Sequence, residues 1–385
     1  MRILNALYYY RPHFSGLTVY TERLAMALAA QGHTVTVLTS RYSPTLAIEE
    51  SLDGVLVRRV RVLSTVSKGP IMPSFLLHGF RLLRCHDILQ LHVPQLDAAP
   101  LALLGRLLKK PVVVTYHCDL SLPSSLLNQV ANRMSHLANA LTLSLAQAVV
   151  TNTRDYAESS ASLRRVLHKL EVIPPPAVVA PVEDARVRGL RQRYGVGEKD
   201  RVIGMAARLA TEKGAEVLAQ AMPYVLQVYP TARVLYVGQY QDVMGEADYL
   251  ARLRPLLDAL GDRWSFLGVL GPEDLAAFYA LCDLTVLPSL NSTESFGMVQ
   301  VESMLCGTPV VASDLPGVRQ PVQLSGMGLL VPPRDPQGLA AAINDVLSRP
   351  ERYRKDGCAW CQQLSPAAVA SAYDRLYARL LAGSG

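Results

Sequence analysis

The chain has 385 residues, of which 50% are hydrophobic and 18% charged, and its net charge is +6. That length is long for one core and comfortable for two domains, and the composition excludes an intrinsically disordered chain. The charge is uneven: residues 1–175 carry 18 Lys and Arg against 10 Asp and Glu, whereas residues 176–385 carry 20 against 22. The first half is therefore expected to meet an anionic partner, such as a membrane surface or a phosphorylated acceptor. Nucleic acid is not expected, because the chain has neither a basic motif with interleaved aromatics nor a zinc pattern. No apolar run reaches membrane-spanning length, and Met1-Arg2-Ile3-Leu4 leads into a strand without the character of a signal peptide. The expectation is a cytoplasmic protein, soluble or peripheral at the inner face of the membrane.

Residues 2–10 read as a first apolar strand, Arg11-Pro12-His13-Phe14-Ser15-Gly16 as a loop, 18–30 as an amphipathic helix and 34–39 as an alternating strand. This is a Rossmann-like βαβ start, but the G-x-G-x-x-G spacing is missing, which argues against an NAD enzyme. Residues 55–62 form a basic strand region, 64–74 a Gly/Pro/Ser segment and 75–84 an apolar-basic helix. Asp87-Ile88-Leu89-Gln90-Leu91-His92 is a buried-strand pattern with a polar tip. Residues 101–108 read as a helix and 112–116 as a strand, just past which sit His117-Cys118-Asp119. Ligands bind outside the carboxyl ends of parallel strands, so His92, His117 and Asp119 are site candidates by position.

A helical stretch over 122–145, a strand over 148–153 and a helix over 155–167 lead to Pro174-Pro175-Pro176. Three prolines stiffen the chain and remove N–H donors, which places the domain boundary there. A first domain over 1–175, a second over 176–365 and a closing helix over 366–385 are expected. In the second domain, helices are expected over 186–194, 216–227 and 272–281, with strands over 201–206, 233–237 and 264–267. Arg208 and Lys213 lie five apart on a strand-to-helix loop, where a guanidinium fork and a compact ammonium suit a diphosphate.

The richest stretch follows the strand 284–287. It runs from Asn291 to Val311, holds Glu294 and Glu302 and ends in Cys306-Gly307-Thr308-Pro309 before another apolar run. Strand, polar loop, helix and strand make a βαβ unit. Eight residues of helix rise about 12 Å and return to roughly the same side. Glu294 and Glu302 therefore suit the two ends of an elongated ligand, with the N–H groups of Phe296, Gly297 and Met298 between them for phosphate oxygens. Cys358-Ala359-Trp360-Cys361 lacks the second pair that a zinc site needs, and it reads as helix packing with reduced thiols. Helices over 336–347 and 367–381 close the chain.

The stretch 291–311, together with Arg208-Leu209-Ala210-Thr211-Glu212-Lys213-Gly214, resembles the retaining glycosyltransferases of family 4. The resemblance covers nearly the whole chain, and Ser313-Asp314-Leu315-Pro316-Gly317 and Gly326-Met327-Gly328 also fit it. It implies an α/β chain with the GT-B fold, two Rossmann-like βαβ domains facing a central cleft, with the last helix crossing back to the first domain. It further implies transfer of a hexose from a nucleotide sugar, a UDP-sugar first and GDP-mannose next, without metal or cofactor. The resemblance gives Glu294 the donor-sugar hydroxyls, Glu302 the ribose, Arg208 and Lys213 the diphosphate, and the loop at Val269 and Leu270 the base. It gives His117 a sugar contact, and Gly16 the place where backbone approaches the donor phosphates. Thr-Tyr-His at 115–117 matches the family's strand-end histidine. The single Gly16 and the triple proline depart from the family, which has a glycine pair at the first place and Pro-Asn-Gly at the second. The acceptor is expected to bind the first domain, where positive charge and the segment 71–84 suit a lipid or phosphorylated glycan at a membrane surface. The alternatives are a phosphorylase or epimerase on the same scaffold, and a non-catalytic sugar-nucleotide sensor.

Overall fold

The computed structural model describes all residues except 67, 68, 120–125, 244, 245, 356–358, 384 and 385. The chain divides into two compact units, Met1–Pro176 with Leu364–Gly385, and Ala177–Gln363.

The first unit is built on strands β1 (Arg2–Ala6), β2 (Thr34–Arg41), β3 (Glu49–Leu52), β4 (Val55–Arg61), β5 (Ser64–Val66), β6 (Gly69–Ile71), β7 (Ile88–Val93), β8 (Val112–Tyr116), β9 (Ala148–Thr151) and β10 (Leu170–Val172). Its main sheet has the order β10-β9-β8-β7-β1-β2-β4-β3, and β5 pairs with β6 in a separate hairpin. All pairs in the main sheet are parallel except β3 with β4. The runs Ile88–Val93 and Val112–Tyr116 are buried throughout, as strands covered on both faces must be. One face packs Leu4, Leu89, Leu101 and Val114, and the other packs Ile3, Tyr20, Leu24 and Val113 with Val369, Tyr373 and Tyr377 of the helix Pro366–Ala382. That last helix is bonded into the core by hydroxyls. Tyr373 Oη lies 2.8 Å from Tyr20 Oη and 2.7 Å from Thr115 Oγ1, and Tyr377 Oη donates to Gln90 Oε1 at 3.1 Å.

The second unit has β11 (Val202–Ala206), β12 (Arg233–Val237), β13 (Trp264–Gly268), β14 (Leu284–Leu287), β15 (Val310–Ser313) and β16 (Gly328–Val331). Its order is β13-β12-β11-β14-β15-β16, all parallel. The chain starts in the middle, winds to one edge, returns to the middle and winds to the other. The doubly-wound order puts a switch point between β11 and β14, and ligands bind outside strand ends at such points. The first unit has its switch point between β1 and β7 by the same rule.

Several expectations are corrected in detail. The first strand ends at Ala6, not residue 10: Leu7 N–H still donates to Leu38 O at 3.2 Å and Tyr8 O accepts from Ser40 N–H at 3.1 Å, but Tyr10 O then accepts from His13 N–H in a turn, and Ser15 Oγ, accepting from Thr18 N–H, starts the helix Gly16–Ala30 early. The expected helix over 155–167 is broken into Arg154–Ser159 and the 3-10 turn Leu163–Lys169; Ser160 is extended and its Oγ donates to Asp119 Oδ1 at 2.9 Å. Strand β3, the β5–β6 hairpin and the helix Ala247–Leu260 were not anticipated. Of the helix expected over 122–145, the part Leu126–Leu145 is described and residues 122–125 lie outside the described residues. Cys361 is buried and disulfide-bonded, against the expectation of reduced thiols, and Cys358 lies outside the described residues.

Candidate active site

In the second unit the loop after β11 runs from Ala207 to Gly214. Its first part continues the sheet, with Ala207 N–H donating to Val237 O at 2.9 Å and Leu209 N–H to Gln239 O at 2.7 Å. The chain then tightens into the 3-10 turn Thr211–Lys213, and Glu246 Oε2 accepts from Thr211 N–H at 3.1 Å and from Thr211 Oγ1 at 2.8 Å. Gly214 closes the turn at φ 70°, and a Cβ there would lie 2.1 Å from Pro288 O. Only glycine combines that backbone with so close an approach. The approach seats the loop against the end of β14, and Leu290 N–H donates to Glu212 O at 2.9 Å.

Two cation–carboxylate pairs result. Lys213 Nζ lies 2.5 Å from Glu294 Oε2, with both side chains largely shielded. The Arg208 guanidinium pairs with Glu212, four residues on in the same loop. The structure thus brings Lys213 and Glu294 into direct contact and sets Arg208 on the same loop.

Glu294 lies before the start of the helix Met298–Leu305. Gly297 is the N-cap at φ 79°, and a Cβ there would meet Leu287 Cδ2 at 2.4 Å and Gln300 Nε2 at 2.6 Å. Gln300, buried, ties this corner by donating to Phe296 O at 2.9 Å and Val318 O at 3.0 Å. Among the described residues no acceptor is found for the N–H groups of Phe296, Gly297 and Met298. They gather at the positive end of the helix dipole, which suits an anion. Glu302 lies on the same helix but is buried, and its Oε2 accepts from Tyr279 Oη at 3.1 Å. Val269 is exposed and Leu270 half-buried, both just past β13 at the sheet edge.

In the first unit the candidates gather beside the switch point. Gly16 is the first residue of its helix. His92 is inside β7, not beyond its end, and His117 directly follows β8. Their rings stack with centroids 5.3 Å apart, and His92 Nδ1 lies 3.0 Å from His117 Nε2. His92 Nε2 is 3.1 Å from Asn5 Oδ1 of β1. Burial pushes the His117 imidazolium down to about pKa 3 and that of His92 well below the usual range, so both rings are neutral at physiological pH. Asp119 has a structural task instead of an open carboxylate: Oδ1 accepts from Tyr116 Oη at 2.7 Å and Ser160 Oγ at 2.9 Å, and its N–H donates to Tyr156 Oη at 2.7 Å.

Sequence reasoning gave no task to Glu212, Glu246, Gln300 or Asn5. A signal existed only for Glu212, four residues after Arg208 and so placed for a local ion pair. Glu246 and Asn5 act across long sequence separations, and Gln300 joins Phe296, four residues back, to Val318.

Residues 188–357 match the family model described as glycosyl transferases group 1, and residues 15–176 match a glycosyl transferase 4-like domain. An uncharacterized glycosyltransferase of Methanocaldococcus jannaschii is 27% identical over 90% of this chain and 89% of its own length. The phosphatidyl-myo-inositol mannosyltransferase of Mycobacterium tuberculosis is 28% identical over 96% of this chain and 94% of its own. Several other relatives match over about half of this chain and under half of their own length. Among solved structures, Anabaena Alr3699/HepE in complex with UDP-glucose superposes with TM-score 0.72 at 21% identity, covering 100% of this chain and 98% of that one. The doubly-wound sheets, the loop Ala207–Gly214 and the two family matches together place the chain among the group 1 glycosyltransferases with the GT-B fold, enzymes that transfer a sugar from nucleotide-sugar donors.

Proposed function

We propose that the chain moves a hexose from a nucleoside diphosphate sugar to an acceptor hydroxyl with retention of configuration, a UDP-sugar being the favoured donor and GDP-mannose the next. The observation that carries this reading is the Lys213–Glu294 pair held at the ends of β11 and β14. An arriving diphosphate takes up Lys213 and Arg208, and Glu294 is released to accept from sugar hydroxyls. The N–H groups of Phe296, Gly297 and Met298 supply further donors to the phosphates. Glu302 receives the ribose, Val269 and Leu270 border the base, His117 contacts a sugar hydroxyl, and Gly16 leaves room for the donor. As the glycosidic bond breaks, negative charge accumulates on the diphosphate, and these cations and N–H groups stabilise it. No metal is required, since the charge is met by protein groups, and no side chain is assigned as nucleophile.

The UDP-glucose complex of the structural neighbour supports a UDP donor, and the mannosyltransferase relative supports mannose as the alternative sugar. For the acceptor we favour a glycolipid at an anionic membrane surface. The helix Phe75–Leu83 buries Phe75, Gly79 and Leu83 and exposes Leu77, Phe80 and Arg81, with Arg84 exposed beyond its end. Apolar groups beside cations on one helix suit a lipid headgroup region. No helix among the described residues is long and apolar enough to cross a membrane.

Thermal-shift titration with UDP-, GDP- and ADP-sugars, followed by a product assay in EDTA, tests the donor and the metal independence together. Stabilisation by a UDP-sugar and undiminished turnover in EDTA are expected. Transfer to inorganic phosphate instead of an acceptor hydroxyl would mark a phosphorylase, and stabilisation without turnover would mark a sensor.

A further inference from the structure

We propose that His92 is a positioning residue, which through Nδ1 holds the His117 ring and leaves His117 Nδ1 as a bare acceptor for a substrate hydroxyl. The inference rests on the reading that His117 meets such a hydroxyl, and it adds the atom and the tautomer. His92 is 1% exposed, too buried to meet a substrate itself. Its Nδ1 lies 3.0 Å from His117 Nε2, a contact that requires one proton between two nitrogens.

Which ring supplies that proton is decided on the far side of His92. Nε2 there lies 3.1 Å from Asn5 Oδ1, and in this orientation of the amide, which leaves the buried Asn5 Nδ2 without a partner among the described residues, Asn5 accepts from His92. His92 therefore carries its proton on Nε2. A neutral ring has a single N–H, so His92 Nδ1 has a lone pair and the shared proton belongs to His117 Nε2. His117 Nδ1 is then unprotonated, and no partner for it is found among the described residues. The Thr21 hydroxyl lies 3.3 Å from His92 Nδ1 and 3.0 Å from Leu17 O, so its one proton can serve either acceptor. Tyr20 stands edge-on to His117 at 4.9 Å and is itself held through Tyr373, so the His117 ring is fixed on a second side. Burial supports the neutral state of both rings. A ring so held accepts from an O–H group and cannot donate to a carbonyl or phosphate oxygen.

The test is nitrogen-15 NMR of the full chain labelled at histidine, beside kinetics with its nucleotide sugar. Wild-type His117 is expected as the Nε2–H tautomer, and finding it as Nδ1–H overturns the proposal without any variant being made. His92→Asn puts an amide oxygen near the place of Nδ1 and should keep that tautomer and activity within about threefold. His92→Phe fills the space without an acceptor and should lower kcat/KM by about tenfold or more, as loss of an orienting partner does. If packing were the whole role, Phe would be the better replacement, and that reverse order sinks the proposal. Full activity of His117→Ala would remove the underlying role of His117, an outcome distinguishable from an error in the tautomer.

Discussion

Lys213 and Glu294 stand 81 positions apart in sequence and 2.5 Å apart in space. Each holds the other's charge in a partly shielded place, so removing one leaves the other uncompensated. Lys213→Ala should lower kcat/KM by about 10²–10³, the range seen when a donor to a developing anion is lost. Glu294→Ala should lower turnover comparably while leaving UDP binding nearly intact, because that carboxylate is assigned to the sugar; equal loss of UDP affinity by calorimetry would contradict the assignment. Gly214→Ala places a Cβ against Pro288 O and forces a left-handed backbone on alanine. A loss of about 1–3 kcal/mol in chemical denaturation is expected. Asp97 makes an opposite case. Burial raises its carboxyl to about pKa 6. The native state then binds more protons than the unfolded state between the unfolded value of 3.8 and 6, so this group's contribution is lost as pH rises through that window. Asp97→Asn should stabilise the protein above pH 6, by about 1 kcal/mol after solvent screening is allowed for, and should flatten stability between pH 4 and 6.

Among the elements, the loop Ala207–Gly214 is shaped by its own sequence and by what it leans on. Arg208 is kept in place by Glu212, four residues further along the loop. Glu212→Gln keeps the size and removes the charge, so it should cost under about 1 kcal/mol of stability while raising the KM for donor severalfold as Arg208 loses its anchor. A melting curve and a donor titration on the same sample check both halves. The helix Phe75–Leu83 carries the membrane expectation. Arg81→Glu with Arg84→Glu should abolish binding to vesicles containing anionic lipid while leaving the melting temperature nearly unchanged, since both side chains are exposed. Vesicle binding that survives the double change would place the membrane contact elsewhere or remove it.

At the scale of the whole molecule, the same doubly-wound logic appears in both units, and each sets its candidate site residues beside a strand-order switch. The first unit buries two neutral histidines at its switch, and the second places its cations there. Much of the second unit's candidate site was legible because the chemistry proposed for it needs particular residue types at short spacings. Arg208, Lys213 and Gly214 share one loop, and Glu294, Gly297 and Glu302 share one strand-to-helix passage. Alternating and continuous apolar runs likewise gave most strands, since burial on two faces admits little else. What tertiary structure alone decided is which of these local pieces meet. Lys213 reaches Glu294 only because β11 and β14 are neighbours, and His92 reaches Asn5 and His117 only because β7 lies between β1 and β8. The break at Ser160 and the anchoring of the helix Pro366–Ala382 in the first unit follow from partners far along the chain, Asp119 for one and Tyr20 for the other. Local propensity and residue chemistry are written in short windows of sequence. Strand order and the pairing of distant side chains arise from packing the whole chain at once, and no short window contains them.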